Sequence, residues 1–400
     1  MKVLFLCNKS PFPPFEGGPL AMNANIQSLL KAGHQVKVLA LNTNKYKIDP
    51  ANIPESYRKQ TGIELIDVDL SVKPTEAFIH LFSGKSYHVE RFISATFRER
   101  LTEVLTSERF DIVQLEMLYM TPYAELIRKH SDAAVVMRSH NIEHLIWERI
   151  AQKTKNPVKK AYLSHLAMQL KKYELSHLNS YDGIAAITRH DADFFREHGC
   201  IITLTDIPFG VEVDNYPVTA NHTGTPSLFH LGSMNWMPNL EGVNWFLNEA
   251  WPLIHKQIPS LKLHLAGRGM SGKLLNLKLP NVEMVGEVPD AQAFIGSHTV
   301  MVVPLFSGSG IRIKIIEGMA MGKAIISTSI GAEGIRYTHG KNILIANTPD
   351  EFLAAVAKCI QNPQLCSSLG QNARRLIEEE HSLEQVIANL EKFYSQVLRK

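Results

Sequence analysis

Residues 304–334 read PLFSGSGIRIKIIEGMAMGKAIISTSIGAEG, and this stretch decides the fold class. An apolar run over 300–305 ends in a short Ser/Gly turn, and a second apolar run over 324–327 leads to another glycine-bracketed turn. The residues between the two runs have a helical pattern that Gly322 closes. Strand, glycine turn, helix and strand in this order predict a βαβ unit of a parallel sheet. Ligands of such sheets bind outside the carboxyl ends of the strands, where both turns lie.

The first turn and the helix after it have the chemistry of a site for an anionic, sugar-containing ligand. Glycines let the backbone approach an anion closely, and free N–H groups at a helix N-terminus favour phosphate. Arg312 adds a planar guanidinium and Lys314 a compact cation within the first turns of the helix. Glu317 supplies a carboxylate that can accept hydrogen bonds from paired hydroxyls, such as those of a ribose. The combination predicts a nucleotide-sugar, although a glycine turn before an amphipathic helix with surface charges has the same pattern.

Five of these residues carry a resemblance to a known family. The pattern G-x-G-x-R-x-K-x-x-E is matched by Gly308, Gly310, Arg312, Lys314 and Glu317. It is similar to a sub-branch of the family-four retaining glycosyltransferases, which use nucleotide-sugars and have the GT-B fold. The resemblance implies an α/β protein with two Rossmann-like, doubly wound parallel-sheet domains that face a cleft.

The resemblance also implies a role for each residue near the turn. Glu317 would hold the ribose, and the backbone of Gly310 and Ile311 would lie against the diphosphate. Arg312 and Lys314 would neutralise that diphosphate and stabilise it as it leaves, which makes them candidate catalytic residues.

The chain departs from the family pattern at Ser309, where many members have the first of two glutamates. Ser309 would replace the contact of that glutamate with a sugar hydroxyl only weakly. In the family, the first strand of the second domain ends in a glycine at the diphosphate, and Gly232 occupies this place here. No basic residue follows closely, so the charge is expected from the Arg312 region. Glu333, in the second glycine turn, is expected to orient the diphosphate or the sugar.

Length and composition fit two ordinary domains and give no indication of a nucleic-acid partner. The chain has 400 residues, of which 45% are hydrophobic, and a formal net charge of +3. Its four cysteines have neither metal-ligand spacing nor disulfide density. The sequence shows no leader pattern and no apolar run of about 18 residues. These features predict a cytoplasmic protein, with peripheral contact at the inner membrane face as the minor alternative.

Short apolar strands alternate with helical patterns in both halves of the chain. Strands are predicted in the first half at 2–9, 36–41, 63–68, 112–115, 133–138 and 183–187. Strands are predicted in the second half at 228–231, 261–266, 282–285, 299–303 and 324–327. This alternation is typical of parallel, doubly wound sheets with helices on both faces.

The domain boundaries follow from a change in composition. Residues 209–227 are rich in Gly, Pro, Asn and Thr, which predicts a linker. We therefore expect an acceptor-side domain at 1–210 and a nucleotide-sugar-binding domain at 211–380. The amphipathic helix at 381–400 would, by resemblance, cross back to the first domain.

Gly17 and Gly18 are the first candidate binding residues along the chain. They lie in a Pro-rich loop between the first strand and a helix predicted to begin at Met22. Adjacent glycines at this place permit close approach of the backbone to a phosphate or a sugar, or form an ordinary flexible turn. The resemblance favours the first interpretation, since this loop faces the donor in the family.

His140 lies just past another predicted strand, at the same edge of the sheet. A histidine there can hydrogen-bond a sugar hydroxyl or move a proton, and family members have a histidine against the donor sugar at this place. Alternatively, Asn141 caps the following helix and His140 packs in the turn. Glu116 ends the neighbouring strand, where a contact with the acceptor is conceivable but unspecific.

The segment 149–172 contains seven basic residues and no acidic one. Leucines at helical spacing lie between the basic residues, so the segment predicts a basic amphipathic helix. Such a helix can contact an anionic membrane surface or a lipid-linked acceptor, or simply form a solvated face.

The sequence thus predicts a retaining glycosyltransferase that moves a sugar from a UDP- or GDP-sugar to a hydroxyl of a carbohydrate or lipid-linked acceptor. The pathway expected by resemblance is the synthesis of a bacterial polysaccharide, lipopolysaccharide or glycoconjugate. No cofactor and no bound metal are expected. The alternatives are a nucleotide-sugar epimerase or hydrolase on the same fold, and an inactive nucleotide-sugar-binding protein.

Overall fold

The structure, a computed structural model, describes residues 1–14, 17–71, 84–218, 226–308 and 310–399. Ser309, one of the expected donor-binding residues, lies outside the described residues. The chain divides into two compact units, of which the first is Met1–Gly210 with Glu384–Lys400 and the second is Val211–Leu383. Each unit contains one sheet of parallel strands with helices packed on it, so the predicted fold class is confirmed.

The first unit has a seven-stranded parallel sheet with the strand order β3-β2-β1-β4-β5-β6-β7. Its strands are β1 Lys2–Cys7, β2 Gln35–Thr43, β3 Glu64–Val68, β4 Ile112–Glu116, β5 Ala134–Ser139, β6 Gly183–Ala186 and β7 Thr203–Asp206.

The central strand β1 shows why this sheet is covered on both faces. Val3, Phe5 and Cys7 belong to one buried apolar cluster, and Leu4 and Leu6 belong to another on the opposite face. All five residues are fully buried. A continuous apolar run in a strand therefore indicates a parallel sheet between two layers of helices.

The helices of the first unit cover both faces of this sheet. They are Gly17–Lys31, Glu55–Thr61, Tyr87–Glu90, Ala95–Ser107, Ala124–His130, Glu143–Lys153, Pro157–Ser176, Arg189–Glu197 and the C-terminal Leu383–Leu398. The first of these begins five residues earlier than predicted, so Gly17 and Gly18 form its first turn rather than a loop. Pro19 is tolerated there because the first N–H groups of a helix have no partner within it.

The C-terminal helix Leu383–Leu398 packs on the first sheet through apolar side chains. Phe393, Tyr394 and Val397 join the buried cluster that contains Val3 of β1. A Cβ at Gly183 would lie 2.7 Å from Cγ2 of Val397 and 2.8 Å from Cζ of Phe393. The helix therefore needs a glycine in β6 to come this close to the sheet.

The second unit has a six-stranded parallel sheet with the order β10-β9-β8-β11-β12-β13. Its strands are β8 Ser227–Leu231, β9 Lys262–Ala266, β10 Val282–Gly286, β11 Val300–Val303, β12 Ala324–Ser327 and β13 Leu344–Ile345. Its helices are Met237–Trp245, Trp251–Gln257, Gly272–Leu275, Ala291–Gly296, Ile313–Ala320, Pro349–Gln361 and Pro363–Glu380.

One glycine fixes the position of the helix Met237–Trp245 on this sheet. A Cβ at Gly242 would overlap the carbonyl oxygen of Pro304, just past β11. The side chain of Asn239, at the start of the same helix, is thereby held at the carboxyl edge of the sheet.

Candidate functional site

The candidate site of the second unit forms around Gly232, which directly follows β8. A Cβ at this position would collide with the Lys314 ammonium and lie 2.8 Å from Nδ2 of Asn239. The Gly232 N–H donates to the carbonyl of Ala266 at the end of β9, at 3.0 Å. A glycine at the end of β8 therefore lets a cation and an amide from two different helices meet at the strand end.

Lys314 is held by a hydrogen bond that depends on Asn239. Its ammonium donates to Oδ1 of Asn239 at 2.7 Å, and the amide group of Asn239 donates to the carbonyl of Ser233 at 2.7 Å. Burial and the neighbouring Arg312 guanidinium lower the pKa of Lys314 from its usual range to about 7, while Glu317 acts in the opposite direction. Lys314 therefore changes charge near neutral pH.

Arg312 immediately precedes the helix Ile313–Ala320 and is only 4% exposed. Its guanidinium donates to the carbonyl of Gly310 and lies 5.4 Å from the ring centre of Trp236. Gly308 and Gly310 have φ values of 97° and 78°, which glycine adopts without strain. The Arg312 side chain therefore folds back onto the carbonyl of Gly310, two residues before it. Trp236 is 38% exposed.

The helix Ile313–Ala320 begins at this turn with its N-terminus toward the two cations. Within the described residues no side chain caps its first turn. Unbonded N–H groups and the helix dipole at an N-terminus favour a negative charge. Two basic side chains at the same end strengthen that preference, so this is the part of the second unit best suited to a diphosphate.

Glu317 lies one turn further along the same helix and is held by Tyr216. Its Oε1 accepts a hydrogen bond of 3.3 Å from the hydroxyl of Tyr216. Burial raises the pKa of Glu317 above its ordinary value, while the Tyr216 hydroxyl and the Lys314 ammonium oppose this. Arg374 donates to the carbonyls of Tyr216 and Ala320, so it ties this arrangement to the end of the helix. The second carboxylate oxygen can then accept from a ligand.

Glu333 lies in the turn after β12 and is partly buried. Its N–H donates to the carbonyl of Ile330 at 3.3 Å. The same turn is fixed by Thr328, whose hydroxyl donates to the carbonyl of Leu305 and accepts from the Gly331 N–H at 2.8 Å. None of these bonds connects Glu333 with Lys314 or Glu317, so its expected role stays a prediction.

His230 is a buried neighbour of this site that the sequence did not indicate. Nδ1 lies 2.8 Å from the carbonyl of Val302, so it carries the proton. Burial, with a contribution from Lys314, lowers the pKa of His230 to about 3. The imidazole is therefore neutral, and the charge of this region comes from Lys314 and Arg312.

In the first unit, His140 is bonded to Glu116. Their Nε2 and Oε2 atoms are 2.6 Å apart, and both side chains are buried. The other carboxylate oxygen of Glu116 accepts from the amide of Gln114 at 2.7 Å. The sequence predicts only an unspecific contact of Glu116 with the acceptor. In the structure, Glu116 is the hydrogen-bond partner of His140.

A different carboxylate holds the helix that follows His140. Glu174 accepts from the N–H groups of Glu143 and His144 at 3.0 and 3.1 Å and lies 2.6 Å from Nδ1 of His144. The alternative in which Asn141 caps this helix is wrong, because the N-cap residue is Ile142 and the accepting oxygens come from Glu174. Burial raises the pKa of Glu143 to about 7.

The first turn of the helix Gly17–Lys31 contains the other expected donor-binding residues. A Cβ at Gly18 would lie 3.2 Å from Cε of Lys9. The ammonium of Lys9 lies 4.5 Å from the ring centre of Tyr46. A helix N-terminus with a lysine nearby is compatible with an anionic ligand, but no bond in the structure tests this expectation.

The basic segment 149–172 covers the end of the helix Glu143–Lys153 and most of the helix Pro157–Ser176. Its three regularly spaced leucines are covered, whereas Val158 is 79% and Met168 59% exposed. Most of its lysines are exposed as well, including Lys159 and Lys160. The segment therefore presents cations and apolar side chains together.

The described ranges contain neither a membrane-spanning helix nor a cluster of metal-binding side chains. No helix among them has both the length and the apolar character needed to cross a membrane. Within the same ranges, no group of three or more His, Cys, Asp and Glu side chains is arranged to hold a metal ion.

The second unit is similar to a known protein family. Residues 225–362 match the family model of glycosyl transferases group 1. An uncharacterised 44.6 kDa protein in the cps region of Klebsiella pneumoniae is 23% identical over 399 residues, which cover 97% of this chain and 98% of that protein. The match of the family model includes Gly232, Arg312, Lys314, Glu317 and Glu333.

Solved structures show the fold of the whole chain. A sucrose-phosphate synthase from Thermosynechococcus elongatus is similar with a TM-score of 0.71, 15% identity and complete coverage of both chains. Alr3699/HepE from Anabaena, solved in complex with UDP, has a TM-score of 0.66 and 14% identity over 99% of this chain and 100% of its own. The fold is thus GT-B, and residues 225–362 of its second unit resemble glycosyl transferases group 1.

Proposed function

We propose that this chain, with its group 1 glycosyltransferase domain on a GT-B fold, transfers a sugar from a nucleoside diphosphate sugar to an acceptor hydroxyl with retention of configuration. One observation carries the proposal: Lys314 meets Gly232 and Asn239 at the N-terminus of the helix Ile313–Ala320, and Arg312 immediately precedes the same helix. Cations and free N–H groups at one strand end are what a diphosphate requires.

The donor contacts follow from the polarity of this site. The diphosphate would lie at the helix N-terminus, along the backbone of Gly310 and Ile311, and the ribose would donate to Glu317. UDP is the first nucleotide to test, because Alr3699/HepE, which has the same fold, was solved with UDP. GDP-sugars remain in the panel, since nothing in the described residues selects the base.

The reaction balances without a further reactant. The bond between the anomeric carbon and the diphosphate oxygen breaks, and a bond from that carbon to the acceptor oxygen forms on the same face of the sugar. The acceptor proton passes to the leaving diphosphate. Lys314 and Arg312 stabilise the charge that develops on that diphosphate, and His140 is assigned to bind a substrate hydroxyl.

The expected pathway is the synthesis of a polysaccharide, lipopolysaccharide or glycoconjugate. The relative of similar length in a cps region of Klebsiella pneumoniae supports this assignment. We assign the acceptor to the carbohydrate or lipid-linked class. Its identity would depend on loops of the first unit.

A membrane surface is proposed as a further contact of the basic segment 149–172. Exposed lysines beside the exposed Val158 and Met168 suit an anionic lipid surface in both charge and polarity. Vesicles that contain anionic phospholipid should retain the protein at low salt, and neutral vesicles should not. The double variant Lys159→Glu/Lys160→Glu should lose this retention, whereas Lys256→Glu/Lys273→Glu, with two exposed lysines of the second unit, should keep it.

The transfer is tested with a thermal-shift panel of UDP, GDP and their sugars, followed by turnover with carbohydrate acceptors. A ligand that binds only the folded protein raises its melting temperature. Release of nucleoside diphosphate that requires the acceptor, with the anomeric configuration of the donor retained in the product, supports the proposal. Turnover of the donor without acceptor would indicate an epimerase or hydrolase instead, and binding without turnover would indicate a binding protein.

A further inference from the structure

A buried chain of polar side chains runs under one face of the first sheet and ends at His140. The hydroxyl of Tyr394, in the C-terminal helix, donates to Oε1 of Gln114 in β4. The amide of Gln114 donates to Oε1 of Glu116 at 2.7 Å, and Oε2 of Glu116 lies 2.6 Å from Nε2 of His140. We name these four residues, Tyr394, Gln114, Glu116 and His140, the relay.

The register of the strands places the relay in an otherwise apolar layer. Glu116 pairs with Cys7 of β1 and with Arg138 of β5 across neighbouring strands. Ile112 and Val136, further back on β4 and β5, belong to the same apolar cluster as Tyr394. A polar chain in such a layer is stable only when each member has its hydrogen-bond partner.

The direction of every bond in the relay is determined by chemistry. An ionised carboxylate only accepts, so Glu116 must face the amide N–H group of Gln114 and the N–H group of His140. Gln114 then presents its carbonyl oxygen to Tyr394, whose hydroxyl must donate. The proton of neutral His140 is consequently on Nε2, which leaves the lone pair on Nδ1.

A buried guanidinium, that of Arg138, lies across from Glu116 on the neighbouring strand and favours an ionised carboxylate there. The guanidinium of Arg138 donates to the carbonyls of Ala185 and Ala186. Burial lowers the pKa of Arg138 to about 10, with the negative charge of Glu116 opposing the shift, so the arginine stays charged at neutral pH. The pair of buried charges thus keeps the carboxylate an acceptor.

We propose that Glu116 is the positioning residue of His140 and that Gln114 and Tyr394 support it, so that Nδ1 is fixed as an acceptor for a substrate hydroxyl. The inference rests on the proposed glycosyl transfer for its function, but the protonation pattern of the relay can be measured without any turnover. No hydrogen bond joins Nδ1 to another described residue, and this atom is therefore the one that a ligand can reach. The C-terminal helix thereby takes part in orienting a residue of the site.

The direct test is the tautomer of His140 in the unliganded protein. Histidine labelled with ¹⁵N is observed by NMR while the pH is raised until the signals no longer change, so that the neutral imidazole is observed. The signals of His140 are those that the variant His140→Gln lacks. A protonated Nε2 and an unprotonated Nδ1 are expected, and a protonated Nδ1 would overturn the inference even if the protein transfers sugar.

Glu116→Gln tests the positioning role. A glutamine can offer either an oxygen or an N–H group to Nε2, so both tautomers of His140 should be present. We expect kcat to fall about tenfold or more with little change in KM for the donor, because the wrong tautomer cannot accept the hydroxyl. A single unchanged tautomer in this variant would show that Glu116 does not position His140.

Tyr394→Phe and Tyr123→Phe form a matched pair of variants. Both tyrosines are fully buried in the first unit, but Tyr123 donates to the carbonyl of Phe92 and has no bond to the relay. Tyr394→Phe should lower kcat about threefold and broaden the His140 signals, whereas Tyr123→Phe should lower only the melting temperature. Equal effects of the two variants on kcat would reduce Tyr394 to a packing role. If the wild type transfers no sugar at all, the proposed function fails, but the NMR result still decides on the relay.

Discussion

The two candidate sites of the molecule differ in how their buried charges are paired. At His140 in the first unit, a carboxylate, an amide and a hydroxyl satisfy one another, and the buried Arg138 balances the buried Glu116. At Lys314 in the second unit, two cations lie together at a helix N-terminus, and burial and Arg312 lower the pKa of Lys314. The first site pairs its buried charges internally, whereas the second gathers two cations that an anionic ligand would neutralise.

This difference teaches how each site is expected to respond to substitution. A pre-formed network loses orientation when one member changes, so its variants should affect kcat and spectra more than binding. A cluster of like charges gains stability from its ligand, so its variants should affect binding and its dependence on pH. The predictions below test this contrast, beginning with the largest expected effect.

Lys314→Met should lower kcat/KM about 100-fold, because the cation that stabilises the leaving diphosphate is lost. Lys323→Met is the matched control. Lys323 is another buried lysine, with a pKa lowered to about 8 by burial, and its ammonium donates to the carbonyls of Gly296 and His298. This variant should melt at a lower temperature and keep its kcat/KM. Steady-state kinetics with a UDP-sugar would contradict the account if both variants were equally active.

Gly232→Ala should weaken UDP binding about tenfold with little loss of stability. The added methyl group displaces the Lys314 ammonium, which is the mobile end of a long side chain. Gly272→Ala serves as control, since its added Cβ would have no atom within 4 Å. Isothermal titration with UDP should separate the two variants, and equal affinities would mean that the ammonium is not needed next to β8.

The affinity for a UDP-sugar should fall as the pH rises above 7. The diphosphate favours charged Lys314, whose lowered pKa of about 7 means that the free protein loses this proton as the pH passes neutrality. Binding is then strongest below pH 7 and weakens by up to about tenfold for each pH unit above it. A UDP-sugar is suitable because its pyrophosphate diester does not titrate there. The affinity of Lys314→Met should not depend on pH in this range. A wild-type affinity that is equally independent of pH would contradict the lowered pKa of Lys314.

Tyr216→Phe should have the smallest effect, about a twofold to threefold weaker binding of UDP. Its hydroxyl forms a hydrogen bond of 3.3 Å to Glu317, and a bond of this length is weaker than the average of about 1 kcal/mol. The same change should leave the binding of inorganic pyrophosphate unaffected, because that ligand has no ribose. Loss of pyrophosphate binding in this variant would place the hydroxyl at the wrong part of the site.

Much of the fold could be predicted from the sequence because its strands are short apolar runs between glycine turns. The missed strands lack that signal. β7, Thr203–Asp206, is only half-buried along its length, and β13 has just two residues. Both lie at an edge of their sheets, where one face or one neighbour is missing and the composition is correspondingly mixed.

The site was predicted only where its residues are close in sequence. Arg312, Lys314 and Glu317 share one helix, so their spacing was enough to group them. Asn239 and Tyr216 reach the same helix from 75 and 101 positions away. Contacts over such separations depend on the packing of whole elements, which no local pattern contains.

The same limit applies to the relay. Glu116 bonds to His140, which lies 24 positions further along the chain, and Gln114 bonds to Tyr394, which is 280 positions away. The sequence does place a histidine and a glutamate at neighbouring strand ends of a parallel sheet, which is a usable signal once the strand order is known. No sequence pattern indicates that Tyr394, in the C-terminal helix, bonds to Gln114.

The central claim is that the cations and amides around Lys314 bind a diphosphate, and a crystal structure of the protein with UDP tests it most directly. We predict pyrophosphate oxygens within hydrogen-bonding distance of the Lys314 ammonium and of the first N–H groups of the helix Ile313–Ala320, with the ribose hydroxyls on Glu317. A structure in which UDP binds with its pyrophosphate away from Lys314 and this helix N-terminus would contradict the account.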